Sequence, residues 1–270
     1  MMFARILMTS LLALLALSAQ AAPKADLWER WATHDADSVA SIDHGSWDSF
    51  LKEYVVEDGS LNRLRYSHVS TTDRKALEDY IQRLAATPVS RYNRNQQLAY
   101  WINLYNATTV KLILDNYPVQ SIRDIKSGLF SFGPWDIKLL DIEGQKVSLN
   151  DIEHRILRPI WQTPLIHYAV NCASVGCPNL PRDAYTAANT LELAARNARA
   201  YVNSPRGVRI QDGQLVVSSI YSWFESDFGG SEEAVIEHLL NHANLELRDQ
   251  LAAFSTIDKD SYDWSLNEAE

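Results

Sequence analysis

Asn95-Gln-Gln-Leu-Ala-Tyr-Trp-Ile-Asn-Leu-Tyr-Asn-Ala107 opens a run that continues to Asn116 and stops at Tyr117-Pro118. The residue before a proline is pushed out of the helical region, so the run reads as one long helix that ends there. Apolar residues fall on nearly every side of it, which predicts a central helix rather than a surface one. Asn103 and Asn106 lie three apart and share one face. A buried amide needs partners for both its carbonyl and its NH2 group. Either the pair ties neighbouring loops to the core, or it orients a catalytic group or polarises a substrate carbonyl.

On either side of this helix the pattern alternates between short helices and short hairpins. Asp26–Trp31, Trp47–Tyr54 and Asp73–Ala86 read as helices, with Thr72 a cap for the last. Asp58-Gly59 is a turn signal between Tyr54–Val56 and Leu61–Tyr66, and Glu143-Gly144 and Asp212-Gly213 are turn signals that predict two hairpins. Ser148-Leu-Asn-Asp151 resembles a capping box with Asp in place of Glu and opens a helix that Pro159 should stop. Leu165–Asn171 reads as a strand, and Thr190–Val202, Ser219–Phe228 and Glu232–Ala243 as further helices. The sum is α+β: a single domain of several helices around a small, mainly antiparallel sheet.

Met1–Arg5 is a short basic start, Ile6–Leu17 is apolar, and Ala19-Gln20-Ala21 fits a small-x-small cleavage site. Residues 1–21 are therefore expected to be a signal peptide, 22–44 a helical lead-in, and 45–267 the main domain. A periplasmic or secreted location follows from this, with no integral membrane segment after cleavage. Loss of Arg5 takes the formal net charge from −9 to −10. So acidic a chain is a poor partner for nucleic acid or an anionic membrane surface. At 46% hydrophobic residues, the roughly 249 residues that remain are enough for a sizeable core.

The chemistry concentrates in His167-Tyr-Ala-Val-Asn-Cys-Ala-Ser-Val-Gly-Cys-Pro178, which holds both cysteines of the chain. A nucleophilic thiol needs a base or a field that stabilises its thiolate. His167 and Asn171 adjoin Cys172 in sequence, and Glu153-His154 lies on the preceding helix. On a strand, His167 and Asn171 would face away from Cys172, which favours His154 as the base and leaves His167 a support. His154 sits near a helix start, where the dipole disfavours its protonated form. Arg158, four residues on, is placed to meet a carboxylate elsewhere.

Two other readings stay open. A Cys172–Cys177 disulfide would close a short loop, worth about 2 kcal/mol, and disulfides are the default in exported proteins. A zinc site would need a second Cys/His pair that the sequence does not supply nearby. No metal or cofactor is expected.

Three ordered stretches resemble the family of unknown function numbered 547 (DUF547). They are Asn95–Ala107, Asp151-Ile-Glu-His-Arg-Ile-Leu-Arg158 and His167–Ser174, with Cys177-Pro178 matching the bacterial form and Tyr262–Asn267 the family's end. The resemblance spans most of residues 45–267 and implies a bacterial, exported member. Plant members often lack a thiol matching Cys177, which makes Cys172, Glu153 and His154 the best candidates for a shared site. Likeness to papain or transglutaminase folds is looser, because His precedes Cys here, the reverse of papain.

The expected function is a thiol-dependent hydrolase or acyl transferase acting on an amide or ester of a small molecule or peptide. Cys172 would be the nucleophile and His154 the base, with Glu153, Asn103 or Asn106 orienting, and His167 and Asn171 in support. The alternative is a non-catalytic periplasmic binding or scaffold protein with a structural Cys172–Cys177 disulfide. The sequence names neither the substrate nor the oligomeric state.

Overall fold

The α3 helix, Arg94–Asn116, runs through the middle of the molecule, and every residue from Gln97 to Val110 is buried. Asn93 caps it by accepting from the Gln96 amide. The computed structural model describes residues 23–126, 128 and 133–270; the expected signal peptide lies outside the described residues. Among these residues no helix is long and apolar enough to cross a membrane.

Before α3 come α1 (Gly45–Tyr54), the antiparallel pair β1 (Val55–Asp58) and β2 (Leu61–Leu64), and α2 (Thr71–Ala85). The cap of α2 is Ser70, two residues earlier than the sequence suggested. After α3 come β3 (Leu140–Ile142) and β4 (Gln145–Val147), a hairpin about Glu143-Gly144. A π-helical turn over Asp151–Leu157 leads into α4 (Arg158–Trp161) and α5 (Ile166–Ala169). The chain then forms α6 (Thr190–Val202), the hairpin β5 (Val208–Gln211) and β6 (Gln214–Ser218), and α7 (Ser219–Trp223). It closes with α8 (Glu232–His242), α9 (Leu245–Leu251) and β7 (Lys259–Ser261). Neither α9 nor β7 was legible in the sequence.

This is a single α+β domain, and all three hairpins sit at their turn signals. Among the described residues the strands fall into three separate small sheets; β7 joins β6 in parallel, and Leu64 makes an isolated parallel bridge to Glu268. Helices carry the core in place of one central sheet. One apolar cluster surrounds α3 and includes Trp31, Trp47, Tyr80 and Trp101. A second packs α6, β6 and α8 around Tyr168, Tyr201 and Tyr221. The segment from α5 to Cys177 lies where the two meet, so both halves of the core position it.

Two histidines, the buried His44 and the half-buried His238, are held neutral by this packing. His44 meets the Tyr80 hydroxyl at 2.7 Å and His238 meets that of Tyr168 at 2.8 Å. Burial pushes each down to about 4. Both values lie below the roughly 6.5 of an unfolded histidine, so the unfolded chain binds more protons between those limits. Stability is expected to be flat above about pH 6.5 and to fall as the pH drops towards 4. Urea midpoints across this range check it, and a His238→Gln variant should show a shallower slope.

Candidate active site

Two departures from regular α-helix and strand build the site. The turn over Asp151–Leu157 starts as the sequence suggests: the Ser148 amide donates to Asp151 Oδ2 at 2.8 Å, and the Asp151 amide to Ser148 Oγ at 3.2 Å. It then widens, with the Arg158 amide reaching back five residues to the Glu153 carbonyl. Pro159 does not end the helix here. It has no N–H for the carbonyls of Arg155 or His154, and these instead accept from the Trp28 and Asp26 amides, both at 3.0 Å. The lead-in segment thus completes the hydrogen bonding that the proline leaves open. Glu153 and His154 are both buried as a result, so they do not form a solvated face.

The strand expected over Leu165–Asn171 is a helical turn, α5, with the chain extended only from Val170 onward. Every residue from Ile166 to Asn171 is buried, so the apolar run carried no period to tell a strand from a helix. Pro164 accepts from the His167 amide and helps start the turn. The alternation that set His167 aside does not exist. His167 Nε2 donates to Asp227 Oδ2 at 2.7 Å, and its Nδ1 lies 3.9 Å from Glu153 Oε1. Its ring stacks on Phe224 at 4.4 Å.

Asp227 also binds Arg158, with Nε to Oδ2 at 2.5 Å and the terminal nitrogen NH2 to Oδ1 at 3.0 Å. Burial would raise this carboxyl, but the hydrogen bonds from His167 and Arg158 outweigh it and hold the group well below the usual range. The other terminal nitrogen of Arg158 lies 3.0 Å from His154 Nδ1. A guanidinium can only donate, so His154 Nδ1 accepts and the proton of the neutral ring sits on Nε2. Burial lowers the His154 pKa, with Glu153 opposing and Arg158 adding to the effect. In this arrangement His154 offers an N–H donor, where the sequence suggested a base. Glu153 Oε2 accepts from the buried Tyr105 hydroxyl at 3.0 Å.

Cys172 is partly exposed and Cys177 buried, and both are free thiols. Their sulfurs are 2.9 Å apart, and the Cys172 amide donates to Cys177 Sγ at 3.0 Å. Cys172 Sγ also meets Ser174 Oγ and the Tyr262 hydroxyl, each at 3.0 Å. Burial acts to raise the Cys172 pKa, but hydrogen bonds from Cys177, Ser174 and Tyr262 win and lower it. Burial raises that of Cys177, and the adjacent Cys172 adds to it. Among the described residues no histidine hydrogen-bonds to either sulfur. Glu153 is near enough for its charge to oppose the Cys172 thiolate.

Of the remaining expected site residues, Asn171 and Asn106 hold this loop in place and Asn103 holds the segment at Tyr185. Asn171 accepts from the Ala173 amide at 2.9 Å and donates to the Pro178 carbonyl at 2.7 Å, closing the loop while Ala173 takes a φ of +59°. Asn106 donates to the Ala169 carbonyl at 2.9 Å and accepts from the Asn171 amide at 2.8 Å. Asn103 does the same with both backbone groups of Tyr185. Both asparagines therefore spend their amides on loops, the first of the two readings above. Asn106→Ala strands one carbonyl and one N–H in the interior and is expected to cost about 2 kcal/mol or more, read from urea unfolding.

Sequence reasoning missed Asp227, Tyr105, Ser174 and Tyr262. Tyr262 arrives on a C-terminal stretch that clasps the cysteine loop: the Val175 amide donates to Ser265 and that of Gly176 to Asp263. A Cβ on Gly176 would come within 2.9 Å of the Asp263 backbone, so glycine is what permits this approach. Trp223 and Trp264 pack against the Tyr262 ring at 4.9 and 4.6 Å, making an aromatic shelf beside the sulfur. No group of three or more His, Cys, Asp or Glu side chains among the described residues is placed to hold a metal ion.

No curated protein and no solved structure matches the chain. The matching stretch of a family model contains Asn103, Asn106, Glu153, His154, His167, Asn171 and both cysteines, and leaves Asp227 and Tyr262 outside it. That family is the one described as protein of unknown function, DUF547, and it is residues 89–202 of this chain that match it.

Proposed function

We propose that the protein is an exported, thiol-dependent hydrolase or acyl transferase in which Cys172 attacks the carbonyl carbon of an amide or ester. The observation that carries this reading is the set of three hydrogen-bonding groups, Cys177, Ser174 and Tyr262, around the sulfur of one partly exposed residue. Where the Ser174 and Tyr262 hydroxyls donate to that sulfur, they favour the thiolate without a base in direct contact. The acyl group would pass to sulfur as the alcohol or amine leaves with a proton taken from water, and water or a second acceptor would then release it and restore the thiolate. His154, presenting Nε2–H, is suited to donate a hydrogen bond, and Asp227 fixes the ring of His167. The case for export rests on residues 1–21.

The reading is tested with an electrophilic amide probe on the reduced, full mature chain, followed by peptide mapping. One adduct at Cys172, abolished by Cys172→Ala, supports it. Equal labelling of the variant, or none of the wild type, would remove it.

A further inference from the structure

We propose that Cys172 and Cys177 form a reversible dithiol–disulfide couple that switches this thiol site off and on. The inference rests on Cys172 being the reactive thiol of the site, and goes beyond it by giving Cys177 a task.

The two sulfurs are in contact at 2.9 Å, yet their surroundings differ. Cys172 is a partly exposed residue, while Cys177 is 5% exposed. A small disulfide can therefore meet only the first. The loop between them is held from three sides. Asn171 closes it, Asp263 and Ser265 bind the amides of Gly176 and Val175, and Arg206 donates to the carbonyls of Val175 and Cys177. The Cys172 amide fixes Cys177 Sγ in line with its neighbour. Closure thus needs little movement of the chain.

The exchange balances with a low-molecular-weight disulfide as the oxidant. The Cys172 thiolate attacks one of its sulfurs and expels a thiolate, leaving a mixed disulfide on Cys172. Cys177, having given up its proton, attacks Cys172 Sγ, forms the Cys172–Cys177 bond and expels the second thiolate. Two protein thiols are oxidised, and one small disulfide is reduced to two thiols. Two excess small thiols drive the reverse. The hydrogen bonds from Ser174 and Tyr262 serve the reduced state, since a disulfide sulfur is a poorer acceptor than a thiolate. Stabilising the dithiol in this way makes the disulfide easier to reduce than a purely structural one.

The test uses the mature chain in buffers of graded reduced to oxidised glutathione. Acid quenching, alkylation and mass spectrometry of the peptide carrying both cysteines then follow. The expected result is reversible interconversion of dithiol and disulfide across the series, with probe labelling at Cys172 falling as the disulfide fraction rises and returning on reduction. Cys177→Ser should stop at a stable glutathione adduct on Cys172. A disulfide that persists at every ratio would overturn the proposal, as would a dithiol that never closes. Both outcomes are read without any substrate. A reversible couple with no amide or ester turnover would sink the acyl-transfer reading alone, Cys172-dependent turnover with a dithiol that never closes would sink the couple alone, and a disulfide locked at every ratio would sink both.

Discussion

Cys172→Ser is expected to lower ester or amide turnover by about 10³-fold or more while leaving the fold intact. Serine matches the thiol in shape but stays protonated at neutral pH, and no base touches this position to remove its proton. The three groups around the sulfur favour an anion that a serine hydroxyl does not form. Steady-state rates on an activated ester, with thermal unfolding as a control for folding, measure the effect. Tyr262→Phe keeps the packing on Trp223 and Trp264 but removes one hydrogen-bonding hydroxyl. Its turnover should fall at neutral pH and partly recover at higher pH, where the thiol ionises unaided. A Cys172→Ser enzyme as fast as the wild type would place the chemistry elsewhere.

Asp227→Ala is expected to destabilise the fold by about 3–5 kcal/mol. Arg158 has a side chain 3% exposed, and Asp227 is its bidentate partner. Truncation leaves that guanidinium buried and unpaired and takes the acceptor from His167. Replacing both partners, as in Arg158→Met with Asp227→Leu, should recover part of the loss because no charge is then stranded. The pH dependence carries a sign. The folded carboxyl titrates below its unfolded value, so its stabilisation is complete above about pH 4 and is lost as the pH falls further. That window lies below the one in which His44 and His238 act. Urea unfolding of Asp227→Ala should therefore keep the upper limb of the pH profile and show a shallower acid limb, the rest of it carried by carboxyls such as Asp151 that are also held low.

Local features of the fold were readable from sequence because local physics produces them. The all-round apolar helix, the three turn dipeptides, the reciprocal Ser148–Asp151 cap and the α6 boundaries all appear as expected. The misreadings came where burial erased the period. In Leu165–Asn171 almost nothing faces water, so strand and helical turn look alike. At Pro159 a distant segment, Asp26–Trp28, supplies the missing donors. The site itself was half legible. The motif residues within 103–177 are mostly buried, and several of their partners come from far along the chain. Tyr262 is 90 residues from Cys172, and Asp227 is 60 from His167. A carboxylate for Arg158 was foreseeable, but which one was not. His154 changed its expected part because Arg158, its own i+4 neighbour, uses the nitrogen a base would need.

The most direct measurement is the pH dependence of Cys172 alkylation by iodoacetamide in the reduced chain, with the modified peptide identified at each pH. If the hydrogen-bonding groups around Cys172 hold it as a thiolate, Cys172 reacts first and its rate reaches half-maximum below the roughly 8.5 of an ordinary thiol. A half-maximum at or above that value, or alkylation that prefers Cys177, would contradict the assignment of Cys172 as the reactive thiol.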